Sequence, residues 1–161
     1  MIRILFVCTG NICRSPTAEG VLRRKLAKAG LSEKVETLSA GTRGYHVGDP
    51  PDPRAQKHAR ARGYDLSALR ARQVGANHFD EFDLILAMDR EHERDLTRLA
   101  PPEAKGRVRR FLEFAPESGL QDVPDPYYGE AADFELVLDL VEAGADGIVA
   151  AIGRGEIASR Q

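Results

Sequence analysis

The sequence predicts an α/β fold: a single-domain, doubly wound sheet of four parallel strands with helices on both faces. Three observations lead there. Short, nearly continuous apolar runs, Ile2 to Val7 and Phe82 to Met88 among them, read as strands buried on both faces rather than half in solvent. Segments with 3.6-residue apolar spacing alternate with these runs. At 161 residues, with 42% hydrophobic and 30% charged side chains, the chain is long enough for one core and too short for two well-developed ones. Residues 1–161 are therefore read as one domain, with no internal repeat, low-complexity segment or linker.

The first strand, Ile2 to Val7, is expected to be central. After a short loop, Ala18, Val21, Leu22, Leu26 and Ala29 recur at helical spacing; Pro16 suits the first turn and Gly30 the end. A second strand is expected from Val35 to Ser39. Asp52-Pro53 reads as an N-cap and first residue of a helix ending near Gly63. Phe82 to Met88 is the third strand, and Asp89 caps a polar helix that runs through Leu99 until Pro101-Pro102 stop it. Val108 to Leu112 is the fourth strand. Phe134, Val137, Leu138, Val141, Ala145, Ile148, Val149 and Ile152 mark a long last helix, weakened by Gly144 and Gly147.

Composition narrows the function. A net charge of −2 and a pI of about 6.1 ask for no nucleic acid and no anionic membrane. No apolar stretch approaches a bilayer span, and the N-terminus opens on a strand pattern rather than a signal peptide, so the expected location is cytoplasmic. Cys8 and Cys13 are the two cysteines, five apart in one loop, and cannot staple distant parts of a fold. His46, His58, His78 and His92 have no paired spacing suggestive of zinc, so no metal and no cofactor are expected.

The loop Cys8-Thr9-Gly10-Asn11-Ile12-Cys13-Arg14-Ser15 lies between the first strand and the first helix. Ligands of open α/β sheets bind beyond the carboxyl ends of strands, which is where this loop falls. The backbone of Thr9, Gly10, Asn11, Ile12, Cys13 and Arg14 is placed to wrap a phosphate. The start of the helix favours both that anion and a thiolate at Cys8. Arg14 offers a planar fork for two phosphoryl oxygens, which a lysine could not reproduce. Gly10 allows a tight fold over the anion, and Asn11 tolerates a left-handed backbone. Ser15 is placed to donate to the Cys8 sulfur and assist it as a leaving group. The Cys-(five)-Arg spacing alone recurs by chance in about one such chain in five. The flanking strand and helix are what raise it above the plain alternative, a core thiol beside a surface arginine.

Asp122-Val123-Pro124-Asp125-Pro126-Tyr127-Tyr128-Gly129 is a loop by its prolines and glycine. Expelling a phenolate or alkoxide needs a carboxylic acid to protonate the leaving oxygen, and the carboxylate then left behind activates water. Asp125, restrained by Pro126 and flanked by tyrosines suited to an aromatic leaving group, is the chosen acid. Taken alone, Asp-Pro is more often only a turn, so this assignment leans on the first loop.

Together these motifs resemble the low-molecular-weight protein tyrosine phosphatase family. Its nucleophile loop has the form Cys-x-Gly-Asn-Ile-Cys-Arg-Ser-Pro, and its acid lies in Asp-Pro-Tyr-Tyr or a close variant. Similarity extends through Ser39-Ala40-Gly41-Thr42, Asp52-Pro53-Arg54-Ala55 and Met88-Asp89 to about residue 155. The resemblance implies a metal-independent phosphatase acting through a phosphocysteine. It makes Cys8 the nucleophile, Arg14 the transition-state clamp, Asp125 the acid and then base, and Ser15 and Asn11 supports of the loop. Tyr45 matches an aromatic wall of the substrate crevice, with Tyr127 and Tyr128 on the rim. The implied partners are phosphotyrosine proteins or peptides and small aryl phosphates, with inorganic phosphate as product. Leu69 departs from the family where animal members usually have a histidine supporting the loop.

For Cys13 two readings stand level: a reversible disulfide partner for Cys8 under oxidation, or a small apolar residue packed under the loop. A thioredoxin-coupled arsenate reductase shares the loop but needs two further downstream cysteines, which this chain lacks. A protein arginine phosphatase is a nearer rival; such relatives tend to carry threonine where Ile12 stands. A silent phosphopeptide-binding module would hold phosphotyrosine without turnover. The basic residues Arg54, Lys57, Arg60, Arg62, Arg70 and Arg72 read as a solvated face more readily than as a guide for acidic substrates.

Overall fold

The computed structural model describes residues 1–160. Four strands, β1 (Ile2–Cys8), β2 (Val35–Gly41), β3 (Leu84–Ala87) and β4 (Val108–Arg110), form one sheet in the order β2-β1-β3-β4, with every pairing parallel. Five α-helices, α1 (Arg14–Lys28), α2 (Pro53–Ala61), α3 (Ala76–Glu81), α4 (Arg90–Leu99) and α5 (Ala131–Gly153), cover both faces. The doubly wound parallel architecture is the one expected.

The two-residue period of β1 divides the core. Ile4, Phe6 and Cys8 enter the layer shared with α1 and α5, while Leu5 and Val7 enter the layer with Phe79, Phe82 and Leu96. The chain runs from β1 through α1 to β2 on one side, then crosses back past β1 through α2 and α3 to β3 on the other, so the carboxyl end of β1 is the switch point at which a crevice opens.

Several boundaries differ from the sequence reading. The third strand is shorter than Phe82 to Met88, because Phe82 closes α3, a six-residue helix the reading had not placed. His78 Nδ1 accepts the Gly75 N–H at its start, 2.9 Å away. The fourth strand stops at Arg110: its register against β3 ends with Ala87, and residues 111–114 turn into a 3₁₀ helix whose Glu113 accepts the Arg110 N–H at 2.9 Å. Gly144 and Gly147 do not break α5. A Cβ on Gly144 would come within 2.2 Å of the Phe111 ring and one on Gly147 within 1.8 Å of the Phe114 carbonyl, so both glycines let the 111–114 turn pack directly on the helix. Phe111 also meets Phe6 edge-on at 5.7 Å. The helix after the nucleophile loop, expected from Ser15-Pro16, begins at Arg14 and gives way to Gly30 at φ +73°. Asp52 and Asp89 cap α2 and α4 as expected.

Candidate active site

The crevice beyond β1 has a volume of about 250 Å³ and holds Cys8, Arg14, Asp125 and all three tyrosines named from sequence. Cys8 ends β1 with only 3% of its surface exposed. The chain then curls back on itself through Asn11, the one non-glycine residue at positive φ (60°) among those described. Among the described residues, the backbone N–H groups of Gly10 to Cys13 donate to no protein acceptor. The start of α1 has neither a side-chain cap nor an acidic residue in its first turn. Unpaired donors and the positive end of a helix therefore converge on one point, the arrangement that binds a tetrahedral anion.

The side-chain network behind the loop orients its polar groups. Asn11 Oδ1 accepts the Arg72 backbone N–H at 2.9 Å, which orients the amide. Its Nδ2 then donates both to Ser15 Oγ at 2.8 Å and to Ser39 Oγ at 2.9 Å. Each serine oxygen accepts from Asn11 and keeps its own proton to donate elsewhere. Ser39 donates to Glu19 Oε1 at 2.6 Å, and Ser15 Oγ lies 2.9 Å from Cys8 Sγ, within hydrogen-bond reach. A thiolate at Cys8 would accept the Ser15 proton, which is what a sulfur nucleophile and leaving group requires. Burial pushes the Glu19 carboxyl up, against the pull of Ser39 and of Arg23, whose Nη2 donates to it at 2.6 Å. Leu69 packs partly buried against the main core, and the loop is supported instead by Ser39 and the Arg72 backbone.

Arg14 is buried and its guanidinium is fixed on one side. Nη1 donates to Asp89 Oδ2 and to the Val123 carbonyl, both at 2.9 Å, which uses both of its hydrogens and leaves Nη2 and Nε for a ligand. Asp89 is itself held by the His92 backbone N–H at 2.8 Å. The buried His92 ring links the two halves: Nε2 lies 2.8 Å from Thr9 Oγ1, and Nδ1 lies 2.9 Å from Asp89 Oδ1 without hydrogen-bond geometry.

Burial raises the Asp89 carboxyl, but contacts from His92 and the charges of His92 and Arg14 more than offset it, and the group sits well below its ordinary 3.8. Ionised Asp89 therefore adds stability above about pH 3.8 that is lost as pH falls through its lower folded value. The difference in Tm between wild type and Asp89→Asn is expected to stay level from neutrality to about pH 5 and to close below about pH 4. A difference that stayed level through that acid range would show that Asp89 acts by packing alone.

The two aspartates of the 122–130 loop separate cleanly. Asp122 is engaged by Arg90 through its backbone N–H at 2.8 Å and its guanidinium at 2.9 Å, which holds its carboxyl low. Among the described residues, Asp125 accepts only the Tyr127 N–H at Oδ1, 3.1 Å away; its Oδ2 stands 3.8 Å from Arg14 Nη2, beyond hydrogen-bond distance, on a side chain 53% exposed. Asp125 is thus the carboxyl open to the crevice. Tyr45 and Tyr128 stand 75% and 95% exposed at the rim, and Tyr127 meets Tyr128 edge-on at 4.9 Å.

Sequence reasoning missed Glu19, Ser39, Asp89 and His92 as site residues, and His46, which lines the crevice and packs over Gly10. Glu19 did leave a signal, a carboxylate on the buried face of α1 between Ser15 and Leu22. Cys13 packs with Ile12, Ala55 and Phe134, and burial pushes its thiol far up. Of the basic residues, Arg62 is bound to Glu135, Asp139 and Glu142 on α5, and Arg54 to Asp52, so these two are tied into the fold.

Comparison with known proteins gives the family. The family model described as low molecular weight phosphotyrosine protein phosphatase matches residues 3–157. The chain belongs to that family. A low molecular weight protein-tyrosine-phosphatase of Streptomyces coelicolor is 48% identical over 153 residues, 93% of each chain. The crystal structure of YfkJ from Bacillus subtilis superimposes with a TM-score of 0.91 at 41% identity over 97% of both chains. That of a protein tyrosine phosphatase from Entamoeba histolytica, with Hepes in its active site, gives 0.94 at 35% identity, covering 98% of this chain and all of the other. The protein is accordingly a cysteine-dependent protein-tyrosine phosphatase by family, a hydrolase of phosphoric monoesters.

Proposed function

We propose that residues 1–161 act as one catalytic domain that hydrolyses phosphotyrosine in proteins or peptides, and small aryl phosphates, through a phosphocysteine at Cys8. The observation that carries this reading is the Asn11 network, which holds the Ser15 hydroxyl 2.9 Å from Cys8 Sγ at the mouth of the unpaired N–H cradle. The phosphate lies in the cradle of backbone N–H groups from Thr9 to Arg14, with the tyrosine ring between Tyr45 and the Tyr127-Tyr128 pair. Cys8 Sγ attacks phosphorus in line; the S–P bond forms as the P–O bond breaks, and Asp125 gives its proton to the departing phenol oxygen. Charge on the equatorial oxygens is met by Arg14 Nη2 and Nε and the loop donors, already in place and needing no reorganisation.

In the second step the Asp125 carboxylate takes a proton from water as that water attacks phosphorus. The S–P bond breaks, the thiolate leaves with the Ser15 hydroxyl donating to it, and inorganic phosphate is released. Cytoplasmic residence, where the Cys8 thiol stays reduced, fits this chemistry.

Steady-state turnover of phosphotyrosine and phosphoarginine in the presence of a chelator tests the reading. Phosphotyrosine is expected to be the preferred substrate. Asp125→Ala is expected to lower kcat/KM about 10²-fold while leaving inhibition by inorganic phosphate unchanged. Preference for phosphoarginine would reassign the substrate, and tight binding without turnover would reduce the chain to a phosphopeptide-binding module.

A further inference from the structure

We propose that Arg54 is a positioning residue that fastens the Asp125 loop to the phosphate loop and so sets where the proton is delivered to the leaving oxygen; the inference rests on the acid role of Asp125 given above. The 122–130 segment is anchored at both ends. At its start the Val123 N–H donates to the Met88 carbonyl at 2.9 Å, the Val123 carbonyl accepts from Arg14, and Asp122 pairs with Arg90. At its finish the Glu130 N–H donates to Asp133 at the beginning of α5. Between these anchors, the bonds made by Asp125 to Gly129 are mostly local: Tyr127 N–H to Asp125 Oδ1 at 3.1 Å, and Gly129 N–H to the Pro126 carbonyl at 2.9 Å.

Arg54 reaches this stretch from α2. Its Nη2 donates to the Tyr127 carbonyl at 2.9 Å, and its guanidinium lies 5.5 Å from the Tyr127 ring centre and 4.8 Å from that of Phe134. Asp52 aims the guanidinium, accepting Nε at 3.1 Å and Nη2 at 2.9 Å, and the Asp52 N–H donates to the Ile12 carbonyl at 2.8 Å inside the phosphate loop. A continuous path thus runs from Ile12 through Asp52 and Arg54 to Tyr127, and the Tyr127 N–H holds Asp125 Oδ1, leaving Oδ2 for the proton. Both backbone polar groups of Tyr127 are engaged, one by the arginine and one by the acid. Moving that peptide moves the acid.

The planar fork is essential, since Nη2 serves Asp52 and Tyr127 with its two hydrogens while the flat face lies over the rings; one ammonium cannot occupy all of these positions. A general acid works only within hydrogen-bond reach of the leaving oxygen, and a shift of about 1 Å costs up to about 100-fold.

The test is the dependence of kcat/KM on leaving-group basicity, from dinitrophenyl phosphate to phenyl phosphate, for wild type, Arg54→Ala, Arg54→Lys and Asp125→Asn. Arg54→Ala is expected to lose about tenfold on phenyl phosphate and less than about twofold on the dinitrophenyl ester, whose leaving group needs no proton, with inhibition by inorganic phosphate unchanged. Arg54→Lys should show the same bias, and it decides alone if the alanine variant does not fold. A loss equal across all esters, or a shifted phosphate inhibition constant, would overturn the proposal while a steep Asp125→Asn profile left the acid role standing. A flat Asp125→Asn profile would remove the acid role, and the proposal with it.

Discussion

Cys8→Ser is expected to lower phosphotyrosine turnover by about 10⁴-fold or more, with a Tm close to that of wild type. The two side chains differ by one atom and the site is buried, so the fold around β1 should tolerate the change. The serine oxygen would still receive the Ser15 hydroxyl, and the N–H cradle from Gly10 to Cys13 would still hold phosphate. What disappears is the ionisable nucleophile, since an alcohol has no accessible anion near neutral pH and its hydrogen-bond neighbour, Ser15, is a hydroxyl rather than a base. Steady-state kinetics together with a phosphate inhibition constant separates the two effects. Retention of turnover within tenfold would mean that another group attacks phosphorus.

Arg14→Lys should cost about 10³-fold in kcat, with a smaller change in KM. The guanidinium divides its work, Nη1 holding Asp89 and the Val123 carbonyl while Nη2 and Nε remain for the equatorial oxygens. A lysine ammonium brings the charge but a single nitrogen. It would either satisfy the buried Asp89 carboxylate and leave the transition state uncovered, or turn toward the phosphate and leave a buried carboxylate and carbonyl unpaired. Because the lost contacts strengthen as charge redistributes in the transition state, kcat should fall more than ground-state binding. Equal and small changes in kcat and KM would show that charge alone suffices there.

The sheet, its parallel order and the nucleophile loop were legible because each leaves a local mark: an apolar run, a helical spacing, a glycine or an aspartate at an end. The errors came where tertiary contact overrode local pattern. Phe111 and Leu112 follow Val108 as the apolar residues of the expected fourth strand, yet β3 offers no partner beyond Ala87, so they turn into the core instead. Gly144 and Gly147 looked like weak points of α5 and are the sites where that turn packs.

Within the proposed active site, the residues assigned to phosphate lie in contiguous motifs that the sequence displays. Those that hold the motifs in place lie far off in sequence, Asp89 75 residues from Arg14 and His92 83 from Thr9, and their pairing leaves no periodic signal. Asp89 was recognised only as a helix cap, which it also is.

The central claim is that phosphate passes through the Cys8 sulfur. It is tested most directly by mixing Asp125→Ala with dinitrophenyl phosphate, quenching by rapid denaturation and locating the bound phosphoryl group by peptide fragmentation. Without Asp125 the activated ester still transfers its phosphoryl group, but water is no longer assisted, so the intermediate should accumulate on Cys8. A phosphoryl group on any other residue, or continued turnover with none bound at Cys8, would contradict the account.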